Sequence, residues 1–196
     1  MKRRPLITMI RYFILLSCIL ATIGCSDKER SQLEVVKSYY DALNASDWTK
    51  LTPLVADTIT IAEGGYISSY THEGFKPYFR WDSVFQTSYK ILELDKQHND
   101  IITKIALSSK RFEFLKNNPL TCKFRISLTA DKITKLETIA YLDADWDAWE
   151  NQRDSLVNWT NINHPELDGF INDLTMKGAL NYMRAIELYT NRKDAH

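Results

Sequence analysis

The stretch YYDALNASDWTKLTPLVADTITIAEGG, residues 39–65, changes from a helical pattern to a strand pattern and ends in a glycine turn. Its helix begins earlier, at the capping box Ser31-x-x-Glu34, and carries apolar residues at helical spacing. The run Asn-Ala-Ser-Asp at 44–47 ends this helix, because short polar side chains compete for the backbone hydrogen bonds. The stretch therefore predicts an N-terminal helix followed by a sharp break.

The second half of the same stretch predicts a short helix and then the first strand. Asp47 can cap a helix that we expect to reach about Ala56. Residues 58–61 are β-rich and run into the glycine pair at 64–65. We therefore expect a strand, a tight turn and a short partner strand over residues 66–70.

The following residues predict one more helix and then a meander of strands. Thr71 precedes a helix whose apolar residues recur at three or four positions. From Thr121 to Leu128 apolar and polar residues alternate, so one side of that strand faces the core. This order of elements is typical of an α+β domain. The strand-like segments cover residues 87–96, 101–115, 120–130 and 132–142.

Over residues 31–142 the chain resembles the nuclear transport factor 2-like superfamily. The order of elements carries the resemblance, and the best local matches are Leu-Asn-Ala-x-Asp at 43–47 and Ala-Asp at 56–57. The resemblance implies a cone-shaped fold in which a strongly curved antiparallel sheet wraps around the N-terminal helices and encloses an apolar pocket. We expect the pocket lining to include Tyr66, Trp81, Phe112, Phe114 and Lys123.

Ketosteroid isomerase provides the functional comparison within that superfamily. Without a gap, Tyr39 falls at the isomerase's oxyanion-binding tyrosine and Glu63 at its catalytic carboxylate. The resemblance thus implies a carboxylate that moves a proton beside a carbonyl and a phenol that donates to the enolate oxygen. Lys123 stands in place of a protonated aspartic acid, which would change the electrostatics of that site. The alternative is that Tyr39 and Glu63 serve packing or line the pocket.

The N-terminal residues 1–24 resemble a bacterial lipoprotein signal. Basic residues at 2–4 precede an apolar run over 12–24 that is too short for a comfortable membrane span. The run ends in Thr-Ile-Gly-Cys, which resembles the lipobox in which the cysteine becomes acylated. The resemblance implies a protein of the bacterial cell envelope, anchored in a membrane through Cys25, with residues 25–30 as a lipidated tether. An ordinary secretory signal is the alternative.

Charge and cysteine content exclude several classes of site. Removal of residues 1–24 leaves 21 basic and 25 acidic side chains, a net charge of −4 that gives no footprint for nucleic acid. It also leaves Cys122 as the sole cysteine beside Cys25, so no internal disulfide is expected. Neither paired histidines at helical spacing nor a glycine-rich phosphate loop occurs, so we expect no metal and no cofactor.

Residues 143–196 predict two amphipathic helices beyond the family's domain. The first has an apolar edge between Trp146 and Thr160, and the second starts near Pro165 with a break near Gly178. We expect both helices to pack on the same domain. Closure of the cone's mouth and contact with a second protomer or another envelope protein are the alternatives.

Three functions agree with these predictions. The first is a non-catalytic lipoprotein that binds a small, mostly apolar ligand in the cone. The second is an isomerase- or dehydratase-like enzyme with Glu63 as base and Tyr39 as oxyanion donor. The third is an interaction module of an envelope complex that uses the two C-terminal helices.

Overall fold

The computed structural model describes residues 31–192, so the predicted signal, Cys25 and the tether lie outside the described residues. The helices are α1 (31–44), α2 (Trp48–Leu51), α3 (His72–Val84), α4 (Lys110–Phe114), α5 (Trp146–Asn163) and α6 (Met176–Asn191). The strands are β1 (Val55–Glu63), β2 (Tyr66–Thr71), β3 (Ser88–Gln97), β4 (Asp100–Ser108), β5 (Leu120–Thr129) and β6 (Lys132–Tyr141). Single 3-10 turns occupy Thr52–Leu54 and Pro165–Leu167.

All six strands form one sheet, in the order β2-β1-β6-β5-β4-β3. β1 and β6 are parallel neighbours, and every other neighbouring pair is antiparallel. Register shifts interrupt three of the pairings, and such irregularities bend strands. The predicted α+β fold is confirmed, with a curved sheet that stays open and with helices packed against it.

Helix α1 packs one side against the sheet and forms the main core. Tyr39 and Tyr40 are each 4% exposed and join Ile101, Ile105 and Ile126 in one cluster. The Tyr40 hydroxyl and the Thr103 hydroxyl are hydrogen bonded at 3.1 Å, which ties the helix to β4. Burying such large side chains contributes favourable free energy to this packing.

The predicted short helix stops earlier than expected. α2 ends at Leu51, and a 3-10 turn containing Pro53 leads directly into β1 at Val55. Proline has no N–H for a helical hydrogen bond and fixes its own φ, which favours the end of the α-helix before it. Ala56, predicted as the helix end, is therefore already in a strand.

The predicted strand over residues 101–115 is wrong in its second half. β4 ends at Ser108, and the Ser109 hydroxyl accepts a hydrogen bond of 3.0 Å from the backbone N–H of Phe112. This side-chain cap starts the helix α4. The spacing of Phe112 and Phe114 suits a strand, but the cap at Ser109 decides the local structure.

The second C-terminal helix also begins elsewhere than predicted. Pro165 opens only one 3-10 turn, and α6 starts at Met176 after the Thr175 cap. The Thr175 hydroxyl accepts a hydrogen bond of 3.2 Å from the N–H of Gly178. Gly178 thus lies in the first helical turn and does not mark a break.

The C-terminal helices form a second core with α3. Trp81 of α3 and Phe85, directly after it, pack against Leu156 of α5 and Tyr182 of α6. Phe170, which precedes α6, belongs to the same cluster. The Trp81 indole N–H also donates to the Asp173 carbonyl oxygen at 3.2 Å. None of the helices within residues 31–192 combines the length and the apolar composition that a membrane crossing requires.

Candidate functional site

A cavity of about 490 Å³ opens between α1, α3, α4 and one face of the sheet. This volume is within the range of small-molecule sites, roughly 300–1,000 Å³. Most of its wall is aromatic or aliphatic. The aromatic part of the wall includes Tyr39, Tyr78, Trp81, Phe112, Tyr141 and Trp149.

Tyr39 and Glu63 both lie on the wall of this cavity, but no hydrogen bond joins them within residues 31–192. Tyr39 is buried on α1, where its ring meets the Tyr40 ring edge-on at 5.5 Å between centroids. Burial raises the pKa of Tyr39 well above its usual value, so its hydroxyl stays a donor. Glu63 is exposed at the end of β1 and accepts a hydrogen bond from the Tyr141 hydroxyl.

Asp82 is a second carboxyl group on the cavity wall, and the sequence reasoning missed it. One of its oxygens accepts from the Thr87 hydroxyl at 3.1 Å, and the other accepts from the Tyr89 hydroxyl. Desolvation by burial raises the pKa of Asp82. The sequence could have indicated this position, because Phe75, Phe79 and Asp82 are spaced i, i+4 and i+7 and so share one face of α3.

Arg111 is the third charged side chain on the cavity wall. Its guanidinium carbon lies 4.7 Å from the ring centroid of Trp81 and 4.9 Å from that of Phe112. The rings of Phe85 and Trp149 complete the surroundings at 5.3 Å and 5.8 Å. The residue was missed because a strand was predicted where α4 forms.

Two of the predicted lining residues lie on the wall, and three do not. Trp81 and Phe112 line the cavity. Tyr66 is 83% exposed at the start of the edge strand β2. Phe114 lies outside, with its ring edge-on to Tyr189 at 5.7 Å. Lys123 lies between the wall residues Cys122 and Phe124, so strand alternation turns it to the opposite face of the sheet.

The described residues contain no group of three or more histidine, cysteine, aspartate or glutamate side chains arranged to hold a metal ion. The polar groups on the cavity wall are three charged side chains, several tyrosine hydroxyls, the Thr138 hydroxyl and the Cys122 thiol. Asp82 and Glu63, the two carboxylates of the wall, each accept hydrogen bonds. The third charged group, the Arg111 guanidinium, has no hydrogen-bond partner within residues 31–192.

Comparison with known proteins supports the fold and leaves the activity open. No family model matches the chain, and no curated protein matches it either. Among solved structures, Bal32a from a soil-derived mobile gene cassette is 17% identical with a TM-score of 0.51, covering 62% of this chain and 95% of its own. A likeness at this level of identity shows the fold alone.

Other solved structures similar to the chain include an NTF2-like protein and a candidate ketosteroid isomerase. An NTF2-like protein of unknown function from Cytophaga hutchinsonii is 13% identical with a TM-score of 0.45, covering 57% of this chain and 89% of its own. A candidate ketosteroid isomerase from Kribbella flavida is 11% identical with a TM-score of 0.48, covering 59% of this chain and 80% of its own. The solved structures similar to the chain thus include NTF2-like and ketosteroid isomerase-like proteins, the kinds named in the sequence analysis.

Proposed function

We propose that this protein is an envelope lipoprotein that binds a small, mostly apolar ligand in its cavity without converting it. The observation that carries the proposal is the cavity of about 490 Å³ with its largely aromatic and aliphatic wall. Protein interiors are otherwise close-packed, and an unfilled apolar space of this size forfeits favourable contacts unless a ligand occupies it.

The arrangement of Tyr39 and Glu63 favours binding over acid–base catalysis. Glu63 is exposed and hydrogen bonded to Tyr141, whereas a general base beside a carbonyl works in a site that excludes water. Tyr39 is buried on α1, with its ring against that of Tyr40. Packing and hydrogen bonding therefore account for the positions of Tyr39 and Glu63 without a joint role in catalysis.

A cavity-filling variant tests ligand binding directly. Thr138→Trp would place an indole in the cavity, whereas Ile139→Trp, one residue along β6, points away from the wall and serves as the control. We expect the neutral dye Nile red to bind the native protein, with an affinity at least about tenfold lower in T138W and unchanged in I139W. Equal binding by all three proteins, or by none, would contradict the proposal.

Removal of the Glu63 charge should leave binding nearly intact. Because Glu63 is at the exposed edge of the wall, Glu63→Gln keeps the shape and the Tyr141 contact while removing the charge. We expect the Nile red affinity of E63Q to stay within about twofold of the native value. A large loss of affinity in E63Q would instead assign this carboxylate to ligand recognition.

Acid–base catalysis is the second candidate, and Asp82 is the observation that favours it. A desolvated carboxyl group in a cavity, with a raised pKa, is a common feature of catalytic sites. On this alternative Asp82 would replace Glu63 as the base, with the nearby tyrosine hydroxyls as donors. Turnover of an enolisable ketone that disappears in Asp82→Asn and persists in E63Q would establish it.

A further inference from the structure

We infer that Arg111 binds the carboxylate of an amphipathic acid whose apolar body fills the cavity. The inference rests on the proposed binding function and adds the chemical class of the ligand. It is argued from the surroundings of the Arg111 guanidinium and does not involve Tyr39 or Glu63.

The guanidinium group of Arg111 is enclosed by aromatic rings. Its central carbon lies between 4.7 Å and 5.8 Å from the ring centroids of four side chains. Cation–π contacts with these rings restrict the guanidinium and replace part of its water shell. The rings belong to Trp81, Phe85, Phe112 and Trp149.

The hydrogen-bond donors of this guanidinium are unused within residues 31–192. Its Nε is buried and has no acceptor. No described carboxylate forms an ion pair with it, although ion pairs do form at other arginines such as Arg125 and Arg153. A half-buried cation without a partner is unfavourable, and a bound anion would remove that penalty.

The other charged groups of the wall do not supply that anion. Both oxygens of Asp82 accept hydroxyl hydrogen bonds, from Thr87 and from Tyr89. Glu63 accepts from Tyr141 at the exposed end of β1. The Arg111 guanidinium acts on Asp82 through its charge and favours the ionised carboxylate, yet the two groups form no ion pair in the described residues.

The shape of the site selects a carboxylate with an apolar body. A planar guanidinium presents paired N–H groups that match the two oxygens of a carboxylate, which gives a charge-assisted contact. The remaining wall is mainly aromatic and aliphatic and suits a hydrocarbon chain or ring system. An unbranched acid of roughly ten carbons fits a space of about 490 Å³.

Competition between matched ligands tests the inference. Nile red bound to residues 26–196, which include every described element, is displaced with decanoate and separately with 1-decanol at pH 8. The same titrations are made with Arg111→Met and with Lys110→Met, a neighbouring exposed cation that is not on the cavity wall. Decanoate and decanol share the apolar chain, so their difference reports the charge.

We expect the native protein and K110M to bind decanoate about tenfold to a hundredfold more tightly than decanol. R111M should lose this preference while binding decanol as before, which separates loss of the cation from loss of the fold. If R111M fails to fold, Arg111→Lys takes its place in the test. Lysine keeps the positive charge but lacks the planar guanidinium with its paired N–H donors. R111K should therefore weaken decanoate binding by at least about threefold and leave decanol binding unchanged.

Two results would overturn the inference. Equal affinities of the native protein for decanoate and decanol, or a preference that persists in R111M and R111K, would leave an apolar binding protein with no carboxylate site. Failure of Nile red and of both ten-carbon ligands to bind would also contradict the binding function itself.

Discussion

At the scale of single residues, the cavity wall combines a few polar groups with a mostly apolar surface. Asp82 is satisfied by two hydroxyl donors, and Glu63 by one. Arg111 is held by aromatic rings and keeps its donors free within the described residues. This division suits recognition of one polar end of a ligand, because the other two charges already have partners.

Cys122 gives a prediction that depends on pH. Burial raises the pKa of its thiol to about 12, and the charges of Asp143 and Glu63 act in the same direction. The thiol is therefore neutral at pH 8, and only the thiolate attacks a disulfide reagent. We expect residues 26–196, which contain this one cysteine, to react with dithionitrobenzoate at least about a hundredfold more slowly when native than in denaturant.

The release of thionitrobenzoate, followed by absorbance, measures both rates. Because the thiolate fraction of a neutral thiol grows with pH, the native rate should increase about tenfold per pH unit between pH 8 and 10. A native rate within tenfold of the denatured rate at pH 8 would show that Cys122 is accessible and ionised, contrary to its burial and raised pKa.

At the scale of elements, two helices start with the same N-cap, a threonine hydroxyl that accepts a backbone hydrogen bond. The Thr71 hydroxyl caps α3 through the N–H of Gly74, and the Thr175 hydroxyl caps α6 through the N–H of Gly178. The two glycines differ in their surroundings. A Cβ on Gly178 would lie 2.0 Å from the Asp173 carbonyl oxygen, whereas a Cβ on Gly74 would lie 3.6 Å from its nearest neighbour.

Gly178 and Gly74 give a prediction on stability in which one variant is the control for the other. Gly178→Ala forces the backbone near Asp173 to move and should lower the free energy of unfolding by about 1–3 kcal/mol. Gly74→Ala meets only ordinary contacts and should be neutral or stabilising by up to about 1 kcal/mol, because alanine favours the helix. Urea denaturation followed by circular dichroism measures both, and equal stability of the two variants would contradict the close approach.

The elements also show how far the sequence could predict the structure. The strands β3, β5 and β6 were predicted within a few residues, because alternation and hairpin turns are local signals. Helix α4 was missed because Phe112 and Phe114 alternate as in a strand while the Ser109 cap starts a helix. That error concealed Arg111. Asp82 was missed because its burial depends on β3, which brings Tyr89 to it.

At the scale of the whole molecule, α3 joins the two cores. Phe75 and Phe79 pack in the main core, and Phe85 packs with the C-terminal helices. Trp81 belongs to the second core and also lines the cavity, where it contacts Arg111. The C-terminal helices therefore hold part of the cavity wall in place.

Membrane attachment through Cys25 is a prediction on the same scale. Each buried methylene of an acyl chain contributes about 0.8 kcal/mol, so acylation of Cys25 would hold the protein on a membrane. We expect the full chain expressed in a bacterium to sediment with membranes and to incorporate labelled palmitate, and Cys25→Ser to do neither. A full chain that is found in the soluble fraction without label would contradict lipidation.

The most direct test of the binding function is native mass spectrometry of residues 26–196 as purified. We predict a population with additional mass from a small molecule that dissociates on collisional activation and is absent from T138W. The mass of that molecule would also test the carboxylic acid assigned to Arg111. A chain that carries no ligand, and that does not take up Nile red when the dye is added, would contradict the account.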